Sequence, residues 1–427
     1  MAAMTKPLVR EIIEDFAKEI RAKRLQTAKP SKDVINFRTD RRDGNERPIW
    51  RVPIEILRFR KENGRISSDV MDYERNVGPL QEMDDKAQDV IRRFLAEKDP
   101  EKTSVLRASI MHAGQEEPAI ITCDGFLING NRRKMVMDQL RKEFPQDPAY
   151  AYMKCVILPS RDEEGGPPTL YEIEKLENRY QLQSDGKSEY YGFDRALSIQ
   201  RKIKLGLTLE EQLRDDPRYA EATSAELAKG MRECERLFLK PLECIDRYLA
   251  QFNRQGLYRT ISTGISDPEG RWQAFVDYSQ TYVQCFQNPR KLVELGIDED
   301  EIGAVEEAAF DIIRLRTIPD MPKVHKIMRD VPKYCRTPEG KKDILKIAEE
   351  VEPLLKPTEC VNSAGTPLTL EELDAKWASK NKQKIIYRVK KAANRHEMER
   401  EKETPLELLA AAEIASSTAM WIPRGFS

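Results

Sequence analysis

The sequence is poor in the residues that build disulfide frameworks and zinc sites. Its seven cysteines are scattered over 427 residues, and no two of them form a Cys-x-x-Cys pair. The three histidines, His112, His325 and His396, are also far apart. A disulfide scaffold, a zinc module and a catalytic triad built from neighbouring histidines are therefore not expected.

Long apolar runs and a strong net charge are missing as well. No run approaches the roughly 20 residues that a membrane-spanning helix requires, and the amino terminus has no signal-peptide core. We therefore expect a cytoplasmic protein with no membrane partner. The 72 Lys and Arg residues balance 73 Asp and Glu residues, for a net charge of -1. Any surface for nucleic acid must then be local.

What the sequence does contain predicts an α+β fold. Hydrophobic residues make up 40% of the chain and charged residues 34%. The spacing of apolar residues predicts a strand, two helices, a hairpin, a helix and another strand between residues 48 and 158, and mostly helices afterwards. The predicted segments are an amino-terminal helix and basic arm (1–46), a small mixed α/β domain (47–184), a helical domain (185–290) and a carboxyl-terminal helical region (291–427).

The stretch from Ile121 to Leu140 combines a hairpin with a helix. Asp124-Gly125 lies between two apolar runs and suits a tight turn that needs positive φ. The following helix is predicted to bury one face and expose the other. The buried face consists of Met135, Val136 and Leu140, and the exposed face of Lys134, Asp138 and Gln139.

The start of this helix has an unusual charge. Arg132 and Arg133 lie at the positive end of the helix dipole, an arrangement that becomes favourable when an anion binds there. Gly130 would let the backbone approach that anion. The alternative is a strand-to-helix corner with solvated arginines.

Three motifs follow one another in this part of the chain, namely Val52-Pro53-Ile54 with Leu57, the segment from Leu106 through Ser109-Ile110 and Gly114 to Pro118, and Gly130-Asn131-Arg132-Arg133. In this order they resemble the ParB/sulfiredoxin superfamily. The last motif resembles ParB rather than sulfiredoxin, because Asn131 and Arg132 occupy the positions of the Cys-His pair of sulfiredoxins. The resemblance implies a nucleotide-binding fold and does not support sulfinic-acid chemistry.

A fourth motif, Glu177-Asn178, resembles the start of the last helix of the ParB domain. ParB proteins usually carry an arginine where this chain has Leu182. The resemblance implies a nucleoside triphosphate, CTP or ATP, with magnesium. It makes Asn178 a magnesium ligand and Glu177 the catalytic group that positions water, while both could equally be ordinary exposed helix residues. The implied nucleotide-binding residues are Gly114, Gln115, Gly130, Asn131, Arg132, Arg133 and Asn178.

The segment after Thr223 predicts a helix-turn-helix, which ParB-like proteins also place after the Glu-Asn helix. A short helix is followed by Gly230-Met231 and by a second helix, which in such motifs enters the major groove of DNA. The candidate DNA contacts are Arg232, Arg236 and Lys240. Glu233 and Glu235 lie among them and would repel phosphates. A simple helical hairpin with a glycine corner gives the same pattern.

Three other segments allow two interpretations each. The basic run 21–47 is either a mobile, solvated arm or a contact with DNA or phosphate. The aromatic residues between 258 and 286 favour core packing over base stacking. The basic helix after Thr369 favours a solvated surface over a strip on DNA.

Two functions from different classes follow. The first is a ParB-like, homodimeric DNA-binding protein whose hold on DNA is controlled by binding, with or without hydrolysis, of the triphosphate. The second is a metal-dependent nuclease or NTPase of a phage, plasmid or anti-phage defence system, with Glu177 or Glu62 as the catalytic carboxylate. An interaction-only protein with a vestigial pocket is the third alternative, and Leu182 supports it. We expect the protein to act in a prokaryotic or phage-infected cell.

Overall fold

The computed structural model describes residues 8–35, 46–98, 100–163, 165–182, 192–262, 270–355, 360–361 and 365–419. The chain forms two compact units. The first comprises Met1–Leu242 and Gly256–Thr260, and the second comprises Glu243–Gln255 and Ile261–Ser427. No helix among the described residues is long and apolar enough to cross a membrane. The predicted junction at residues 184–185 lies outside the described residues.

The first unit contains a six-stranded mixed sheet, which confirms the α+β prediction. The strands are β1 Leu25–Gln26, β2 Lys32–Val34, β3 Glu46–Pro53, β4 Ala119–Ile121, β5 Leu127–Asn129 and β6 Tyr152–Ile157. Their order is β1-β3-β6-β4-β5, and β2 also pairs with β3. β6 is antiparallel to β3, with Trp50 opposite Cys155, and parallel to β4, with Ile120 opposite Val156. The predicted hairpin is confirmed, and Gly125 in its turn has a φ of +84°.

Helices and 3₁₀ turns surround this sheet. The helices that precede residue 240 are α1 Glu14–Lys23, α2 Ser67–Asn76, α3 Asp85–Glu97, α4 Pro100–Ala113, α5 Asn131–Glu143, α6 Leu170–Leu182, α7 Gly192–Lys204, α8 Leu209–Arg214 and α9 Ser224–Cys234. The 3₁₀ turns in this part are Ile54–Ile56, Gly64–Ile66, Pro148–Tyr150 and Pro217–Tyr219.

Both faces of the sheet are buried. Along β6, Met153 and Cys155 pack into one hydrophobic cluster while Val156 packs into the other, as the alternation of side chains along a strand requires. The predicted apolar face of α5 is confirmed, because Met135, Val136 and Leu140 are all fully buried. The prediction for Lys134 is wrong. It is buried, its ammonium lies 2.7 Å from the Asp138 carboxylate, and it also lies over the Phe59 ring.

Part of the predicted basic arm is ordered. β1 and β2 fall inside it and pair with β3, and the guanidinium of Arg24 lies 4.1 Å from the centre of the Trp50 ring. A mobile arm is therefore wrong for residues 25–34, because backbone pairing to a sheet edge fixes them. Residues 36–45 lie outside the described residues.

The turn predicted at Gly230 is wrong. Gly230 lies inside α9, and a π-helical segment, Glu235–Leu239, continues the helix into α10, Lys240–Gln251. The reason is packing. A Cβ at position 230 would lie 2.6 Å from Cε1 of Tyr219, so glycine is needed for the approach of the Tyr219 ring and not for a turn. The predicted helix start at Thr223 is confirmed by a capping box with Glu226.

The second unit is largely helical in its described residues. Its further elements are α11 Arg259–Ser262, which begins in the first unit, α12 Gly270–Thr281, a π-helical segment Tyr282–Phe286, α13 Pro289–Leu295, a 3₁₀ turn Glu299–Glu301, α14 Ile302–Leu315, α15 Val324–Tyr334, α16 Pro338–Glu350 and α17 Leu370–Ala419. The prediction of aromatic core packing is confirmed. The Tyr248 ring lies edge-on to Phe275 at 5.1 Å and to Phe310 at 5.6 Å.

Several basic residues of α17 form ion pairs within the second unit. Lys380 lies 2.6 Å from Glu352, and Asp343 of α16 lies 3.0 Å from Arg388 and 2.8 Å from Arg395. These ion pairs reduce the positive charge that α17 could offer to DNA.

Candidate functional site

A cavity of about 650 Å³ in the first unit lies among α4, α5, α6 and the Gly64–Ile66 turn. It brings together residues that are far apart in sequence. The predicted site residues that line it are Gly114, Gln115, Gly130, Asn131, Arg132, Arg133 and Glu177. Asn178 and the three DNA-contact candidates are outside this lining.

The amino terminus of α5 forms one wall of the cavity. Gly130 precedes the helix with a φ of +95°, and a Cβ there would lie only 2.8 Å from the Cβ of Ala119. A glycine is therefore required by both backbone conformation and space. The N-cap residue is Gly130 itself, so it supplies no side-chain cap to this helix start. The arrangement provides backbone N–H groups and the positive end of the helix dipole for an anion.

Arg133 is already positioned by protein groups. Its guanidinium donates to the carbonyl oxygens of Glu117 and Pro118, and it lies 3.4 Å from the Glu117 carboxylate. Burial lowers the pKa of Arg133, and the Glu117 carboxylate opposes this effect. Arg132 beside it is half-buried in the cavity lining. These two guanidiniums suit a phosphate group, which accepts charge-assisted hydrogen bonds.

Asn131 contributes an unpaired acceptor. The residue is only 9% exposed, and its buried Oδ1 atom has no hydrogen-bond partner among the residues that the structure describes. A buried carboxamide oxygen without a partner is unfavourable. A ligand with an amino or hydroxyl donor would satisfy it.

Gln115 fixes the loop that faces α5. Its Nε2 donates to the carbonyl oxygens of Glu117 (2.9 Å) and Lys154 (2.8 Å), and its Oε1 accepts from the Lys154 backbone N–H (2.7 Å). The side chain therefore ties the loop to β6. Its position in the lining makes it a structural support for the cavity.

Glu177 is buried in a network of basic residues. Its carboxylate accepts from the Gly64 N–H at 3.0 Å and lies 3.5 Å from Arg201 and 3.9 Å from Arg60. Burial acts to raise the pKa of Glu177, but the neighbouring cations outweigh it, so this pKa lies below its ordinary value. The carboxylate is charged at neutral pH and is held by protein groups. The exposed-residue alternative is wrong for Glu177 because α7 and the Arg60 segment cover it.

Asn178 is also buried, and both of its polar atoms are engaged. Lys202 donates to Oδ1 at 3.0 Å, and Nδ2 donates to the Gln212 carbonyl at 3.0 Å and to Asp215 at 3.3 Å. An ammonium therefore occupies the position at which the resemblance implies magnesium. Burial lowers the pKa of Lys202 to about 8, against the raising effect of nearby carboxylates. Among the described residues, no group of three or more His, Cys, Asp or Glu side chains could hold a metal ion.

The sequence patterns do not predict several residues of the cavity lining, namely Asn63, Arg65, Lys102 and Tyr180. The helical spacing of Lys102 with Leu106 and Ser109 was a usable signal for one of them. The basic partners of Glu177 and Asn178 had no such signal, because they reach the site only through tertiary packing.

The remaining candidates lie elsewhere. Arg232, Arg236 and Lys240 are exposed along α9, the π-helical segment and α10, and Glu233 and Glu235 are exposed among them. Glu62 is outside the cavity lining. Its carboxylate lies 3.8 Å from Arg60, and its carbonyl oxygen accepts a hydrogen bond from Arg201.

No protein-family model, curated protein or solved structure matches this chain.

Proposed function

We propose that the first unit binds a nucleoside triphosphate, CTP or ATP, in the cavity beside α5, and that this ligand controls how the protein engages DNA. The observation that carries the proposal is the convergence of Gly130, Asn131, Arg132 and Arg133 with the Gly114–Glu117 loop on one cavity. The ParB resemblance implies a homodimer, which is part of the proposal.

The chemistry of the cavity suits such a ligand. Its volume of about 650 Å³ falls within the range of roughly 300–1,000 Å³ of small-molecule sites. The start of α5 supplies cations and backbone donors for phosphates, while Leu106, Ile110 and Ile128 supply apolar surface for a base. Asn131 supplies an acceptor for an amino or hydroxyl group.

A route from the ligand to DNA runs along α6. Glu177 lines the cavity and pairs with Arg201 of α7, and Asn178 bonds to Gln212 of α8. A ligand that binds one arrangement of these helices better than another shifts the population toward it. Arg232 and Arg236, carried by α9 and the π-helical segment, are the proposed DNA contacts. For Asn178 to bind magnesium, Lys202 must leave its Oδ1.

A thermal-shift panel tests the proposal. Each of CTP, ATP, GTP and UTP is added with and without magnesium and duplex DNA. Binding to the folded state stabilises it by about 2.7 kcal/mol at 100 times the Kd. We expect a selective rise in Tm with CTP or ATP, and an unchanged Tm with all four would overturn the proposal.

A metal-dependent nuclease or NTPase is the second candidate. The charged Glu177 carboxylate in the cavity lining favours it. Plasmid nicking or nucleotide turnover with magnesium or manganese, lost in Glu177→Gln and kept in the exposed control Glu221→Gln, would support the enzyme. If the unaltered protein shows neither plasmid nicking nor nucleotide turnover, the enzyme candidate fails and only the binding proposal stands.

A further inference from the structure

Helix α4 lines the cavity along one face. Lys102, Val105, Leu106, Ser109 and Ile110 follow one another at helical spacing and all line it. Of these residues only Ile110 is buried, while Val105 is 71% exposed although it is apolar. Within the described part of the chain, Lys102 makes no ion pair. The face therefore offers an apolar band with a cation at its amino-terminal end.

The amino-terminal end of α4 lies near the Gly64–Ile66 turn. Lys98, just before α4, places its ammonium 3.0 Å from the carboxylates of both Asp69 and Asp194. Ser68 donates to the same Asp194 carboxylate at 2.8 Å. These contacts bring the start of α4 beside the segment that carries Arg65, which also lines the cavity.

The carboxyl-terminal end of α4 lies near the start of α5. The chain leaves α4 at Gly114 and reaches Glu117 and Pro118, whose carbonyl oxygens accept hydrogen bonds from Arg133. With a rise of about 1.5 Å per residue, Lys102 and Ala113 are roughly 16 Å apart along the helix axis. The cavity thus has one cationic end at Lys102 and Arg65 and another at Arg132 and Arg133.

Helix α6 runs between the same two ends of the cavity, in the same direction as α4. Glu177 accepts from Gly64 at the Lys102 end. Tyr180, about one turn further along α6, also lines the cavity, and it lies near Arg133 at the other end, whose charge opposes the rise of the Tyr180 pKa that burial causes. Contacts of both α4 and α6 therefore place Lys102 and Arg65 at one end of the cavity and Arg132 and Arg133 at the other. Leu106, Ile110 and Ile128 line the cavity between these ends.

We propose that the cavity binds a nucleoside that carries phosphate on both its 5′ and 3′ sides. The 5′ phosphate lies at Arg132 and Arg133, the base packs on Leu106 and Ile110, and the 3′ phosphate lies at Lys102 and Arg65. Lysine and arginine side chains have long apolar stems, so cations anchored at the two ends can reach a nucleotide that lies between them. A triphosphate alone places all its charge on one side of the base and leaves Lys102 without an anion.

This inference rests on the proposed nucleotide site and specifies its ligand. Two sources share the required chemistry, a free nucleoside 3′,5′-bisphosphate and one internal nucleotide of a single strand. Negative charge from Glu177 at the Lys102 end is already compensated by Arg60 and Arg201. Glu117 at the other end is paired with Arg133.

Calorimetry with the full chain tests the inference. The probes are the 3′,5′-bisphosphates of adenosine and cytidine, the matching 5′-monophosphates, ATP, CTP and trinucleotides of each base. We expect the bisphosphate to bind about tenfold more tightly than the monophosphate, the value of one added charge-assisted contact. Lys102→Ala should remove most of this advantage, with a much smaller effect on the monophosphate. The matched control Lys86→Ala, at an exposed position of α3, should retain it.

Equal affinities for bisphosphate and monophosphate, or an equal loss of both in Lys102→Ala, would overturn the inference. If ATP or CTP binds through Arg132 and Arg133 without any bisphosphate advantage, the proposed function stands and the inference falls. If the bisphosphate binds in a Lys102-dependent way and no triphosphate binds, the inference stands and the triphosphate proposal falls. A trinucleotide that binds more tightly than the free bisphosphate identifies a strand as the source, and the reverse order identifies the free ligand.

Discussion

The two predicted halves of the phosphate site use their charged residues in different ways. At the start of α5, Arg132 and Arg133 line a cavity, with Arg133 bonded to the carbonyl oxygens of Glu117 and Pro118, and among the described residues the buried Oδ1 of Asn131 has no hydrogen-bond partner. At α6, Glu177 and Asn178 are bonded to the surrounding protein, chiefly to Arg201 and Lys202 of α7. The α6 half holds helices together, and we propose that the α5 half receives a ligand. On that proposal, sequence motifs that resemble one site divide into a binding part and a structural part.

The strongest test of this difference is the stability of Glu177→Ala. Removing the carboxylate leaves the buried Arg60 and the half-buried Arg201 with less compensation, and breaking a buried ion pair costs about 3–5 kcal/mol. We expect the free energy of unfolding in urea to fall by about that amount. Glu221→Ala, at an exposed position, should change it by less than about 0.5 kcal/mol. A Glu177→Ala protein as stable as the control would contradict the structural role of the α6 half.

The next test concerns pH. The folded-state pKa of Lys202 is about 8, below the ordinary value of 10.5. Between these values the unfolded chain binds the proton that the folded chain has lost, so this residue makes stability rise with pH. The stability difference between the unaltered protein and Lys202→Met should therefore shift in favour of the unaltered protein by up to about 3 kcal/mol from pH 7 to 10.5.

Urea unfolding at several pH values measures this shift. Lys142→Met, at an exposed position of α5, is the matched control and should show none. A Lys202→Met curve parallel to that of the unaltered protein would mean that Lys202 is not buried against Asn178.

A smaller difference in stability is expected between alanine variants of two glycines that line the cavity, Gly130 before α5 and Gly114 after α4. Gly130 and Gly114 both have positive φ, but only at Gly130 does an added Cβ meet a neighbour within 4 Å. Both alanine variants incur the left-handed backbone penalty of about 1–2 kcal/mol. Gly130→Ala should lose roughly a further 1–2 kcal/mol from crowding against Ala119. Equal losses of unfolding free energy in the two variants would contradict the close approach at Gly130.

Much of the local structure could be predicted from the sequence. The Asp124-Gly125 hairpin, the apolar face of α5 and the helix start at Thr223 follow from turn chemistry, periodicity and capping, which act over a few residues. The same local signals predict the residues Gly130 to Arg133, which form the α5 wall of the cavity.

Features that depend on tertiary contacts could not be predicted in this way. Gly230 looks like a turn residue, yet it remains helical because the Tyr219 ring packs on it. Lys134 looks like a surface residue, yet it is buried beside Asp138 and Phe59. The partners of Asn178 likewise come from α7 and α8, and no spacing in α6 indicates them.

We propose above all that the start of α5 binds phosphate. Calorimetric titration of ATP and CTP with magnesium into the unaltered protein and into Arg132→Ala/Arg133→Ala tests it directly, with Lys142→Ala on the same helix as the control. We expect binding of one triphosphate to the unaltered protein and the control. The double variant should lose at least about a hundredfold in affinity, since two charge-assisted contacts are removed. Unchanged triphosphate affinity in a folded double variant would contradict the claim.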